Sequence, residues 1–350
     1  MKKNNLLNTL AKPYKTKNYL SLILTPYGTS TLNSLKRYCM GAIFTYFDNP
    51  IYIDSPQIQD NLTISKETIK LTNLESLRHT FHHFYFKMLK DKNIPGYNFP
   101  LEYIEQGLLF REESGKDLKP FSRQSSFSVT NLHSFCIDKT QCLEEIKSVF
   151  TCIKRFEEDW EIKFDITCHI KDENMISVEE VENLWGSDFE KNLMSEEDAF
   201  IALDFNISLP GGETIELTSL ELYSVEIGNR RCLLVDFTIG GAERILSTIY
   251  LKNSSVPFWL APVHVIALTK DIKNEKTIEV DPNLRIMVVN NMEQLQKYKE
   301  MLQIPEVYEN STVWIKYLEK HRSRFPNPIN IPLHKNVILK DNRAVNYDIL

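Results

Sequence analysis

A chain of 350 residues, 42% hydrophobic and 25% charged, has ordinary globular composition and can bury one large core, or a large and a small one. Its formal net charge of −6 supplies no broad basic field, so composition does not favour a nucleic acid partner. Cys39, Cys136, Cys142, Cys152, Cys168 and Cys232 form no CxxC pair, the first residues lack the apolar stretch of a secretion signal, and no apolar run reaches the ~18 residues of a spanning helix, so reduced thiols in a cytoplasmic protein without membrane contact are expected.

Residues 1–19 are polar and rich in Lys and Asn, and read as a loosely held arm. A helix is expected from Thr29 to Phe47, where Leu32, Leu35, Cys39, Ala42, Ile43 and Tyr46 recur near helical spacing. Asn49-Pro50 stops it. Ile51 to Pro56 reads as a short strand ending at a proline that cannot donate to a ladder, which suits an edge or an interface. A second helix is expected over Leu74 to Leu89, with Phe81, Phe84, Tyr85 and Phe86 in a buried element.

From Tyr103 to Ile137 two extended runs flank the polar loop Glu113 to Ser122, the pattern of a hairpin with a long tip. Arg123, Ser125, Phe127, Val129, Asn131 and His133 share parity, and a regular strand would point them all to one face. That mixture of charge, ring and amide suits a ligand better than a core. Helical spacing returns over Gln141 to Trp160, and the acidic stretch Ser177 to Asp198 reads as an exposed helical region. Strands are expected over Phe200 to Leu209, Glu213 to Ile227 and Leu233 to Thr238.

The last strand runs into Gly240-Gly241, after which Ala242, Ile245, Leu246 and Ile249 give one apolar helix face with Arg244 in the first turn. Near Pro257 to Pro262 the chain crosses into a smaller α/β unit. Its expected strands are Val263 to Leu268 and Leu284 to Val289, and its expected helices Met292 to Leu302 and Val313 to Arg322. The division is therefore 1–262 for a main domain and 263–350 for a small C-terminal unit.

The order of these elements resembles the three signature motifs of class II aminoacyl-tRNA synthetases, most closely the threonyl type. The first motif, a long helix and a strand ending in proline, is matched by Thr29 to Pro56. The second is matched by Phe110-Arg-Glu-Glu-Ser-Gly through Arg123 and Phe127 to Leu132-His-Ser-Phe-Cys136, and the third by Gly240-Gly-Ala-Glu-Arg244. Trp259-Leu-Ala-Pro-Val-His-Val then trails it in the threonyl manner. Taken singly, arginines and a strand phenylalanine mostly make surface ion pairs and core; three motifs in order carry the resemblance.

The resemblance implies an α+β fold, a mostly antiparallel sheet of six or seven strands flanked by helices, with the first motif at a two-fold dimer interface. It implies that ATP is bound bent. Arg111 would contact the α-phosphate and the incoming carboxylate, Glu113 the adenine amino group and Arg123 the outer phosphates. Phe127 would stack on the ring and Arg244 would cover its other side. Glu216-Leu-Thr-Ser219 resembles a segment that holds Mg²⁺ in other members, and carboxylate and hydroxyl oxygens suit that ion. A spacing of three cannot share one face of a regular strand, so a bulge or strand end is expected there.

The zinc positions of the threonyl type fall on Leu74, His133 and Val235, which leaves one ligand, so no zinc is expected. The amino-acid pocket would comprise Val129, Asn131 and His133, with Glu75 meeting the substrate amine. With Leu74 and Val235 it would be less polar than a threonine pocket. The stretches before Thr25 and after Val263 are shorter than the editing and anticodon-binding domains of the family. The resemblance therefore implies adenylate formation with ATP and Mg²⁺, and transfer to a carrier protein or small molecule, with tRNA as the alternative acceptor. A non-catalytic accessory paralogue is the reading from another class.

Overall fold

A computed structural model describes residues 10–17, 19–60, 68–71, 75–90, 99–112, 118–194, 199–209, 212–253, 257–261, 265–268, 286–289 and 293. Its centre is an eight-stranded sheet. The strands, in spatial order, are β3 (Ile51–Tyr52), β6 (Leu101–Phe110), β7 (Ser126–Cys136), β12 (Arg230–Ile239), β11 (Thr214–Ile227), β10 (Ile201–Ser208), β8 (Asp165–Ile170) and β9 (Glu190–Leu193). The two outermost pairs, β3 with β6 and β8 with β9, are parallel, and every inner pair is antiparallel. The expected α+β class holds, with eight strands in place of six or seven. The surplus includes β8, whose sequence DITCHI alternates polar and apolar residues over only six positions, and β9, whose four residues EKNL are all exposed.

Alternation along the strands divides the sheet into two faces. One carries Ile104, Leu132, Phe237, Leu220 and Leu203, all buried. Against it pack helices α1 (Pro26–Tyr46), α3 (Lys139–Asp159) and α5 (Ala242–Asn253), through Leu35, Tyr38, Ile146, Phe156 and Ile245 among others. The Phe156 and Trp160 rings stack with centroids 4.4 Å apart at the end of α3. The other face is partly covered by α2 (His82–Lys90), which sets Phe81, Tyr85 and Leu89 against Tyr103, Val129 and Leu234.

Several expected elements change shape. α1 begins at Pro26, because the Thr25 side chain caps it by accepting from Gly28 N at 3.0 Å and proline suits the first turn. Within the stretch expected as a loose arm, Leu10 and Ala11 are fully buried, and β1 (Ala11–Lys15) pairs with β2 (Leu20–Leu24). The helix over 74–89 shortens to α2, since Glu75–Leu77 is β5, paired with β4 (Ile58–Asp60) in a separate ribbon. The acidic stretch yields only the short helix α4 (Val178–Trp185), opened by a Ser177–Glu180 capping box and closed at Gly186, before β9 begins. Toward the C-terminus β13 (Val265–Leu268) and β14 (Ile286–Val289) pair in parallel. The two helices expected after Met292 lie outside the described residues.

Candidate functional site

The hairpin of β6 and β7 brings the first group of site residues together. Leu109 pairs with Phe127, so the next residue along β6 but one, Arg111, follows on the same side, and its guanidinium lies over the Phe127 ring at 5.3 Å. From the far end of the chain, Arg244 enters the same place. Its Nε donates to the Ser122 carbonyl at 2.9 Å and an Nη to the Glu216 carbonyl at 3.0 Å. Phe121, Ser122, Gln124, Phe127, Gly241 and Arg244 bound a crevice of only about 10 Å³. A crevice of that size holds no ring while Arg244 keeps its two carbonyls.

The expected irregularity at Glu216–Ser219 is a bulge. Phe205 pairs with Thr218 and Asn206 with Glu216, leaving Leu217 opposite nothing. Glu216 thereby shares a face with Ser219, whose partners are Asp204 and Thr238. Carboxylate and hydroxyl oxygens on one face are a donor set that fits Mg²⁺. The bulge also aims the Leu217 carbonyl at Gly240, whose N–H donates to it at 2.9 Å. A Cβ at Gly240 would lie 2.4 Å from that oxygen, so only glycine permits this approach.

Further along the same face, under α2, stands a buried polar cluster. Asp236 accepts from Asn131 Nδ2 at 2.6 Å, and its two oxygens lie 3.2 Å from His133 Nδ1 and 3.1 Å from His82 Nδ1. Burial alone would raise the Asp236 carboxyl, but His133 and His82 outweigh it and hold it below the usual carboxylate range. Burial, with His82 and His79 adding to it, holds His83 down at about 3. Beside this group Glu105 takes hydrogen bonds from Arg78, Ser55 and Tyr85. On β11, Tyr223 donates to Glu221 two residues away along the same strand.

Among the described residues, His82, Glu221 and Asp236 present three ligand atoms within 4.8 Å of one another, a spacing one divalent cation could bridge. They lie on α2, β11 and β12 in a sequence that offers no spacing signal for them. Two expectations are corrected here. Val235 faces the core, paired with Ser134 and Leu222, and its neighbour Asp236 faces the ligand side, because pairing with His133 fixes the parity. The face around Asn131 and His133 is therefore acidic and polar, not less polar as expected from Val235.

The structure thus groups Arg111, Phe127 and Arg244 at one end of the face and Val129, Asn131 and His133 along it, with Glu216 and Ser219 two strands away. Arg123 is exposed in the turn that ends at Ser125, outside the strand expected to carry it. Glu75 is exposed on β5, not at a helix start. Glu113 and Leu74 lie outside the described residues. Sequence reasoning missed Arg78 and Glu105, whose neighbours Leu77 and His79, and Ile104 and Gln106, give no local signal of a buried pair.

The fold is that of class II aminoacyl-tRNA synthetase catalytic domains. Among solved structures the chain is similar to the RNA binding domain of threonyl-tRNA synthetase from Cryptosporidium parvum, with a TM-score of 0.71 and 15% identity, covering 94% of this chain and 99% of that one. It is also similar to prolyl-tRNA synthetase from Giardia lamblia in complex with prolyl-adenylate (TM-score 0.63, 14% identity, 87% and 68% covered) and to a putative threonyl-tRNA synthetase from Aeropyrum pernix (0.63, 13%, 89% and 85%). No family model matches. In sequence it is 24% identical over 271 residues to the threonine–tRNA ligase of Methanobrevibacter smithii, covering 67% of this chain and 43% of that protein. The chain thus spans less than half the length of that relative. Among the described residues no helix is long and apolar enough to cross a membrane.

Proposed function

We propose that this chain is an adenylate-forming ligase that activates an amino acid with ATP and Mg²⁺. The observation that carries the reading is the convergence of Arg111, Phe127 and Arg244, from three separate stretches, on one end of a polar sheet face. Arg111 offers a planar fork for charge that builds between carboxylate and α-phosphate during in-line attack. Phe127 offers a stacking surface, and Arg244 leaves the Ser122 and Glu216 carbonyls to cover the nucleotide. Glu113 and Arg123 would take the adenine amino group and the outer phosphates, and Glu216 and Ser219 would hold the metal. The amino-acid carboxylate is ionised at neutral pH, so catalysis needs positioning and charge stabilisation and no protein base.

The substrate amino acid would sit along Val129, Asn131 and His133, with Glu75 toward its amine. The chain would act as a cytoplasmic homodimer through α1 and β3. Its acceptor would be a carrier-protein thiol or a small amine, the reading supported by a net charge of −6; tRNA is the competing acceptor, supported by the RNA binding domain among the similar structures. Pyrophosphate exchange across the amino acids tests activation: one amino acid giving a signal supports it, and silence with all of them favours the accessory reading. Transfer of labelled amino acid to tRNA, to carrier protein or to free amines then separates the acceptors.

A further inference from the structure

The same hairpin end that carries the nucleotide-site residues walls a second cleft on its other face. This cleft measures about 350 Å³, within the range of small-molecule pockets, and lies between β2, the ends of β6 and β7, and the start of α5. At three places adjacent residues alternate between the two chambers. Phe110 lines the cleft while Arg111 lies over Phe127; Ser126 lines the cleft and Phe127 is that ring; Glu243 lines the cleft and Arg244 the crevice. Gln124 lines both. The two cavities share a wall one residue thick.

The lining has a definite chemistry. Leu22, Leu24, Leu108 and Phe110 offer surface to hydrocarbon. Facing them is a hydroxyl chain, in which Ser126 Oγ lies 3.0 Å from Tyr19 Oη and 3.3 Å from Ser21 Oγ. Among the described residues Glu243 is the single formally charged group on the wall. It is 8% exposed and accepts from Ser128 N at 3.0 Å and Ser128 Oγ at 3.1 Å, with its own backbone N–H as a third donor. A carboxylate accepts about four donors, so one acceptor position is left for a ligand. Lys36 acts on this carboxylate electrostatically, more weakly than burial and the Ser128 bonds, and does not line the cleft.

We propose that the cleft binds a small primary amine with an apolar body, its ammonium on Glu243, and that occupancy alters nucleotide binding through the shared wall. The second half rests on the ATP-binding reading above; the first does not. The test titrates the full chain calorimetrically with 2-phenylethylamine and with its neutral counterpart 2-phenylethanol. A charge-assisted bond predicts an amine about tenfold tighter or more. Glu243→Gln should bring the two within about twofold. Leu108→Trp and Leu22→Trp, which fill the cleft from β6 and from β2, should abolish binding of both while leaving the thermal transition cooperative. Equal affinity for amine and alcohol, no binding, or amine binding unchanged in the folded tryptophan variants would overturn the site. For the coupling, ATP titrations with and without saturating amine should differ by about fivefold or more, with ATP changing amine affinity by the same factor. ATP that binds equally in both overturns the coupling, whereas ATP that never binds overturns the ligase reading and leaves the amine titration to decide the cleft.

Discussion

The N–H of Gly240 donates at 2.9 Å to the carbonyl of Leu217, the residue that β11 carries in excess of its neighbour β10. A Cβ at Gly240 would stand 2.4 Å from that oxygen, whereas a Cβ at Gly241 would meet the Phe127 ring at an ordinary 3.5 Å. Gly240→Ala must push backbone against backbone, and a loss of ~1–3 kcal/mol is expected in urea unfolding. Gly241→Ala should stay within ~0.5 kcal/mol of the parent. Equal costs at the two positions would remove the bulge from this account.

Arg78 and Glu105 are 1% and 0% exposed and 2.6 Å apart. Arg78 also donates to the carbonyls of Ser55 and Leu108, and a Cβ on Gly107 would lie 2.2 Å from its guanidinium. Arg78→Ala leaves a buried carboxylate without its cation and should cost ~3–5 kcal/mol. Glu105→Gln added to Arg78→Met should cost less than the sum of the single changes, because the stranded charge is gone. Denaturant titration of the four proteins in this cycle checks it; strict additivity would mean that the pair does not interact.

The Glu145 carboxyl is pushed up to about 7 from its ordinary 4.5, first by burial and then by the neighbouring Glu102 and Asp48, against a hydrogen bond from Ser134. The folded protein then holds a proton that the unfolded chain releases at lower pH. Stability from this group is present below about 4.5 and lost as pH rises to about 7. Each pH unit in that window is worth about 1.4 kcal/mol at most. Glu145→Gln should flatten the decline between pH 5 and 7, measured by unfolding at fixed temperature. A variant that keeps the parental slope would show that the proton sits elsewhere.

If Arg111 stabilises charge in the adenylation step, Arg111→Ala should lower pyrophosphate exchange ~10²–10³-fold with circular dichroism unchanged. Arg111→Lys keeps the charge but loses the planar fork and its contact with Phe127. It should recover little of the rate. Full activity in the lysine variant would reduce Arg111 to a point charge.

Much of this fold was legible because the long elements repeat their signals. The periodic apolar residues of α1 and α3, the hairpin of β6 and β7, and the glycine pair before α5 all stand where spacing put them. The bulge was expected through the resemblance alone, because Glu216 and Ser219, three apart, can meet on one face only through an extra residue or a strand end. What failed was short or tertiary in origin. β9 has no apolar face to announce it, and β5 took over a stretch whose local spacing suited a helix. Val235 and Asp236 were exchanged because parity on β12 is set by its partner His133, a relation absent from the strand's own sequence. The His82, Glu221 and Asp236 group had no linear signature at all.

The unpaired Leu217 divides β11 into two halves that are out of step with each other. Ile215 shares its side with the core residue Ile207, and Leu220 shares that same side with Leu203, although their numbers differ in parity. Transplanting either half alone into a related scaffold would therefore turn its oily residues toward water. Any graft of this region would have to carry Thr214 to Gly240 as one cassette, with the extra leucine and the glycine that receives it moved together.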